Sequence, residues 1–147
     1  MTRVMDIRAL TPGYAVSPQI SVEDMPALAE AGFTTVICNR PDSEIGPEQS
    51  CAAMRDAAEA VGITFIPLPL DQTTLTPENG IRQVEAIADA TGPVLGYCRT
   101  GTRSTVIWAL GQAGTLPVDE ILEKAAAAGY QLDHLRPALE ALAASRG

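Results

Sequence analysis

The sequence predicts an α/β sandwich, a central and mainly parallel sheet of about four to five strands flanked by helices. Three observations predict it. Short β-branched or apolar runs alternate with longer stretches of helical periodicity, and glycines or prolines stand where one gives way to the other. The chain of 147 residues, 46% hydrophobic and 19% charged, also has the size and composition of one globular unit over 1–147.

Taken in order, Ser21 followed by Asp24 reads as a capped helix through Ala31, stopped by Gly32. Residues 34–38 are β-branched and stop at Asn39-Arg40-Pro41, a buried strand running into a loop. The alanine-rich stretch 47–61, closed by Gly62, is a second helix. Residues 63–70 form a strand whose Pro67 and Pro69 lack amide donors, which implies an edge position or an early exit into a loop. Thr76-Pro77-Glu78 opens a third helix with Ile81, Val84, Ile87 and Ala88 at helical spacing. Gly92-Pro93 turns into the short strand 94–97, which ends at Cys98. From Arg103 the chain is helical to Ala113, then again over 118–128 and 132–144.

Net charge is -8, with Lys124 the only lysine against nine arginines. That balance argues against nucleic-acid and anionic-membrane binding, which need a basic field. An acidic chain that handles an anion holds it locally, with arginines and backbone amides. No apolar run reaches signal-peptide or membrane-spanning length, so the cytoplasm is the expected location. Cys38, Cys51 and Cys98 are expected as reduced thiols. They show no CxxC spacing and His134 is the only histidine, which argues against a zinc site and against a histidine-activated hydrolase. No metal and no cofactor is expected, and His134 reads as a surface or packing residue.

The informative segment is 94–104, in which a cysteine ends a strand and is followed by a glycine-containing loop and a helix. Ligands of open α/β sheets bind at the carboxyl ends of strands. The amides of Arg99, Thr100, Gly101, Thr102 and Arg103 are expected to converge above the Cys98 sulfur as an anion nest, with the following helix pointing its positive end there. Those donors and the two guanidiniums favour a thiolate. Arg103 offers a planar fork for an oxyanion, and Ser104 a hydroxyl for the sulfur.

Cys98-Arg99-Thr100-Gly101-Thr102-Arg103-Ser104 resembles the active-site loop of two enzyme groups. Four residues separate Cys98 from Arg103, one fewer than in cysteine phosphatases of the tyrosine and dual-specificity type. Single-domain rhodaneses commonly carry a Cys-Arg-x-Gly-x-Arg-Ser loop, which this loop matches at every fixed position. Ser17-Pro18-Gln19-Ile20, the helix up to Gly32 and the segment from Thr35 through Arg40-Pro41 to Glu44 are similar to the bacterial beta-lactamase-hydrolase-like family. That resemblance implies a cysteine-phosphatase-like sandwich, found alone or fused to a sulfur dioxygenase domain and linked to sulfide and persulfide metabolism.

The loop therefore points first to a rhodanese-like sulfurtransferase. Cys98 would take the outer sulfur of thiosulfate or a persulfide, a small anionic donor, and pass it to a thiol or cyanide; a sulfur dioxygenase or sulfide-oxidising enzyme is the expected partner. The alternative is a tyrosine- or dual-specificity-type phosphatase with Asp71 as general acid, since Leu70-Asp71-Gln72 follows a strand. Its plainer role is a turn-capping aspartate. A third reading is a non-catalytic anion-sensing or partner-binding module. Arg40 is expected either to contact substrate or to pair with Asp42 or Glu44. Cys38 reads as buried core ahead of a resolving thiol, Cys51 as structural, Trp108 as packing the helix behind the loop, and Tyr97 as pocket wall or strand core.

Overall fold

The computed structural model describes residues 5–146. Five strands, β1 (Arg8–Thr11), β2 (Tyr14–Ser17), β3 (Thr35–Cys38), β4 (Thr64–Pro67) and β5 (Val94–Tyr97), form one sheet in the order β1-β2-β5-β3-β4. All neighbours are parallel except the β1–β2 hairpin. The six helices are α1 (Met25–Glu30), α2 (Cys51–Ala60), α3 (Pro77–Asp89), α4 (Thr102–Gln112), α5 (Val118–Ala127) and α6 (Arg136–Arg146). Among the described residues no helix is long and apolar enough to cross a membrane.

The period of two along each strand sorts the core into two layers. Ala15, Val36, Cys38, Leu95 and Tyr97 face Met25, Leu28, Met54 and Ala58 of α1 and α2. Tyr14, Val16, Ile37 and Val94 face the other way, onto a cluster that includes Ile107, Trp108, Ile121 and Leu139. Trp108 thus packs α4 onto the sheet, as its position predicts, and Ser104 to Leu110 of α4 are all buried. Protein surrounds this stretch, so its buried polar residues Ser104 and Thr105 are hydrogen-bonded. β4 lies at the edge, where the missing proline donors cost least.

Local differences from the sequence expectation have local causes. The β1–β2 hairpin is absent from that reading; its signal is the turn at Pro12-Gly13, where the Gly13 amide donates to Thr11 Oγ1 at 3.2 Å. The helix expected over 47–61 is split into a 3-10 turn (Pro47–Gln49) and α2, capped by Ser50 Oγ accepting from the Ala53 amide at 3.2 Å. The strand expected to 70 leaves the ladder at Pro67, yet the Leu68 and Leu70 amides still bond to the Cys38 and Asn39 carbonyls at 2.9 Å. The last helix starts at Arg136, after a 3-10 turn over Asp133–Leu135.

β3, β4 and β5 end in register, Cys38 opposite both Tyr97 and Pro67. The segments that follow them therefore leave from one edge of the sheet, and there the functional residues gather.

On the opposite side of α4 its contact with α3 is close enough to exclude a side chain. A Cβ at Gly111 would overlap the Gly80 carbonyl oxygen and Val84, and one at Gly80 would stand 2.7 Å from the Gly111 nitrogen. Alanine normally favours a helix interior by about 1 kcal/mol over glycine, but here backbone must move aside. Gly111→Ala is expected to destabilise the fold by about 2 kcal/mol and lower the melting temperature by roughly 4–8 °C. Thermal unfolding followed by circular dichroism reads this; a raised melting temperature would show that α3 and α4 separate at no cost.

Candidate active site

Beyond β5 the chain turns sharply into α4. Gly101 makes that turn at φ +91°, and a Cβ there would also overlap the Tyr130 hydroxyl. Three donors hold the loop from outside. The Gln19 amide donates to the Arg99 carbonyl at 3.3 Å, Tyr130 Oη to the Thr100 carbonyl at 3.0 Å, and Thr105 Oγ1 to the Gly101 carbonyl at 2.8 Å. Because each peptide is trans, outward carbonyls turn the next amides inward. The Gly101 amide accordingly donates to Cys98 Sγ at 3.1 Å. Cys98 is 1% exposed and lies in neither apolar cluster. The expected ring of amides is only partly realised. The Thr102 amide goes to Thr100 Oγ1 at 3.3 Å, since a threonine hydroxyl competes locally for backbone donors.

Arg103 turns inward. Its Nη2 stands 2.7 Å from Glu44 Oε1, its Nη1 donates to Glu44 Oε2 at 3.0 Å and to the Leu70 carbonyl at 2.8 Å, and the guanidinium is close enough to the Cys98 sulfur to interact with it electrostatically. Glu44 shares its carboxylate with Arg40, whose Nε lies 3.3 Å away. Arg103, aided by Arg40, holds the Glu44 carboxyl below the usual carboxylate range. Arg40 also donates to Gln19 Oε1 at 3.1 Å and to the Glu44 carbonyl at 3.1 Å. The ion pair with Glu44, one of its two expected roles, is present.

A cavity of about 500 Å³ opens beside Arg103, lined by Glu44, Asp71, Gln72, Leu75, Arg99 and Arg103. Asp71 thus shares a space with both loop arginines. It is also a turn-capping aspartate, because Oδ1 accepts from the Thr73 amide at 2.7 Å, Thr73 Oγ1 at 2.6 Å and the Thr74 amide at 3.1 Å. The Thr73 hydroxyl and amide, with Thr74, hold its carboxyl below the usual range.

Ser104 lies beneath the loop, fully buried, and gives its one proton to Asn39 Oδ1 at 2.8 Å instead of to the sulfur. Asn39 donates to Gln83 Oε1 and to the Leu68 carbonyl, both at 3.0 Å; Gln83 Nε2 donates to Tyr14 Oη at 3.1 Å, and Tyr14 Oη to the Ser104 carbonyl at 3.0 Å. This buried network and Glu44 are the parts of the site that residue patterns did not single out as functional. Asn39 stood only as a loop residue after a strand, and nothing in the pattern of α3 marked Gln83.

Cys38 is core, as expected. Its thiol donates to the Arg40 carbonyl at 3.2 Å and lies beside Tyr97 and Cys51, on the face covered by α1 and α2. Burial raises the Cys38 thiol and pushes Cys51 up to about 12. Tyr97 is fully buried strand core, and His134 is exposed. Among the described residues no cluster of three His, Cys, Asp or Glu side chains is placed to hold a metal ion.

Known proteins place this geometry in a family. Residues 6–115 match the family described as beta-lactamase hydrolase-like protein, phosphatase-like domain. A beta-lactamase hydrolase-like protein of Agrobacterium fabrum is 31% identical over 98 residues, 67% of this chain and 23% of that protein. One from Xylella fastidiosa is 29% identical over 132 residues, 88% of this chain and 30% of that protein. The chain spans about a quarter to a third of the length of these curated relatives. The crystal structure of a candidate phosphatase from Neisseria meningitidis Z2491 superposes with a TM-score of 0.83 at 35% identity, over 95% of this chain and 99% of that one. TpbA of P. aeruginosa, at 17% identity and a TM-score of 0.66 over 97% of this chain and 91% of its own, shares the fold. With three quarters of its length matched and its five-stranded sheet shared with these structures, the chain belongs to the phosphatase-like domain family of the beta-lactamase hydrolase-like proteins.

Proposed function

We propose that the chain is a cysteine-dependent phosphatase acting on phosphate monoesters, with Cys98 as nucleophile, Arg103 as oxyanion clamp and Asp71 as general acid. The observation that supports this most is the shared cavity. Asp71 from beyond β4 and Arg103 from α4 line one space next to the Cys98 loop. Membership of a phosphatase-like family and the Neisseria relative described as a candidate phosphatase support the same reading.

In that reaction the Cys98 thiolate attacks phosphorus opposite the ester oxygen. The S–P bond forms as the P–O bond breaks, and the leaving oxygen takes the Asp71 proton. The Asp71 carboxylate then takes a proton from water attacking the thiophosphate. The P–S bond breaks, phosphate leaves and Cys98 is again a thiolate. The Gly101 amide and Arg103 stabilise the charge that gathers between them, and Arg99 adds a second cation to the wall.

A second reaction has its own support. Asp71 is held as a carboxylate by Thr73 and Thr74, which suits a reaction that needs no acid, and the loop is one residue shorter than in cysteine phosphatases. In sulfane transfer the Cys98 thiolate attacks the outer sulfur of thiosulfate, the S–S bond breaks, and sulfite leaves with the electron pair. An acceptor thiolate then takes that sulfur from the Cys98 persulfide and restores the thiolate. A persulfide so formed would feed a sulfur dioxygenase or another sulfide-oxidising enzyme. Either reaction fits the cytoplasm, where free Cys38, Cys51 and Cys98 persist.

Aryl phosphate hydrolysis and thiocyanate formation from thiosulfate and cyanide are to be measured side by side. For the phosphatase, Cys98→Ser is expected to lower ester hydrolysis by at least about 10³-fold and Arg103→Lys by about 10²-fold. Negligible ester hydrolysis by the native protein, with Cys98-dependent thiocyanate formation, transfers the assignment to the second reaction.

The lowered Asp71 carboxyl gives a second test. A general acid works protonated, so its contribution is present below its folded pKa and falls about tenfold per pH unit above it. An alkyl ester needs the acid more than an aryl ester does, and taking their rate ratio cancels the ionisation of Cys98. That ratio is expected to fall with rising pH in the native enzyme and to stay flat in Asp71→Asn. A flat native ratio removes Asp71 from the acid role.

A further inference from the structure

The reaction needs the fork of Arg103, and that fork is filled. Glu44 places Oε1 at 2.7 Å from Nη2 and Oε2 at 3.0 Å from Nη1, the parallel pair of bonds by which a guanidinium takes a phosphate or sulfonate group. Glu44 belongs to a 3-10 turn (Asp42–Glu44) between β3 and α2, and it lines the same cavity as Asp71 and Arg99.

The geometry points to Glu44 as an internal surrogate of the substrate oxyanion, seated on Arg103 and displaced when a dianionic oxyanion arrives. Two observations favour displacement over a fixed scaffold. Arg103 has an independent anchor, since Nη1 also donates to the Leu70 carbonyl at 2.8 Å, so the arginine is oriented without Glu44. Glu44 also has somewhere to go. Arg40, its side chain 15% exposed, stands 3.3 Å from Oε1 through Nε and is itself fixed by bonds to Gln19 and the Glu44 carbonyl. A carboxylate leaving Arg103 keeps a cationic partner, which lowers the cost of opening the seat.

Glu44 then sets apparent affinity by competition. An anion that takes this terminal fork replaces two charge-assisted bonds, so its dissociation constant there is weaker than for an open seat. This inference rests on Arg103 being the oxyanion clamp. It adds that the clamp is self-occluded, and that Arg40 acts through Glu44 and not by touching substrate.

The test uses Cys98→Ser protein, in which no turnover interferes, titrated calorimetrically with inorganic phosphate and, separately, with sodium thiosulfate. Adding Glu44→Gln is expected to tighten binding by about threefold or more, the scale of a half-exposed ion pair. Adding Arg40→Gln instead is expected to weaken it, because Glu44 then settles wholly on Arg103, and to have no effect once Glu44 is already Gln. Melting temperatures establish that each variant is folded, and the Arg40 pair tests the coupling should Glu44→Gln alone be unstable. With Cys98 restored, Glu44→Gln is expected to lower KM by a similar factor.

Weaker or unchanged binding in Glu44→Gln overturns the proposal and leaves Glu44 a positioning residue for Arg103. Absence of phosphate and thiosulfate binding in both proteins overturns it too. Failure of the phosphatase reading is seen separately, as absence of Cys98-dependent turnover.

Discussion

The Arg103 guanidinium is where three strand ends are tied together. One nitrogen reaches the Leu70 carbonyl beyond β4, the terminal pair holds Glu44 beyond β3, and the same group faces the Cys98 sulfur beyond β5. Parallel strands in register bring those three segments to one edge of the sheet, but nothing in the ladder itself fixes their loops. A planar group with five donors joins them, because the Leu70 carbonyl and the Glu44 carboxylate accept from it at different angles while it faces the sulfur. A lysine would offer the same charge without that geometry.

Beneath this tie lies a layer without formal charge. Asn39, Gln83, Ser104 and Tyr14 are all buried, and each finds partners among the others or in nearby backbone. A buried amide left unpaired costs more than its bond contributes when made, so these groups are satisfied together or not at all. The network spans β2, the exits of β3 and β4, α3 and the first turn of α4. It therefore fixes the position of the Cys98 loop relative to the sheet. The Ser104 proton is committed to it, which leaves the Gly101 amide and Arg103 to attend the sulfur.

Much of this was legible in the residues, and the limits have physical causes. Alternation and punctuation located α1 to α6 and β3 to β5, with some ends shifted by a few residues, because a strand with β-branched residues or a helix with a glycine stop is a local signal. Cys98, Gly101 and Arg103 were legible for the same reason: strand end, turn and helix start lie within a few residues. Glu44 and Asn39 were not, since their importance comes from partners that sequence places far away: Arg103 lies 59 positions from Glu44, and Gln83 lies 44 from Asn39. Ser104 shows the converse. Its position beside the cysteine loop suggested the sulfur as partner, but burial under the loop offered it a stronger acceptor.

The size of the loop bears on which electrophile the sulfur meets. Each residue between cysteine and arginine contributes one amide to the cradle, and here there are four, with the Thr102 amide already spent on Thr100 Oγ1. Tetrahedral phosphate presents three non-bridging oxygens that each want donors, whereas a sulfane sulfur carries its charge on one polarisable atom. A cradle with fewer free amides depends more heavily on its arginines, and in this chain Arg103 is engaged by Glu44. Under the displacement proposed above, the chemistry at Cys98 is governed less by the shared fold than by how readily that carboxylate yields its place.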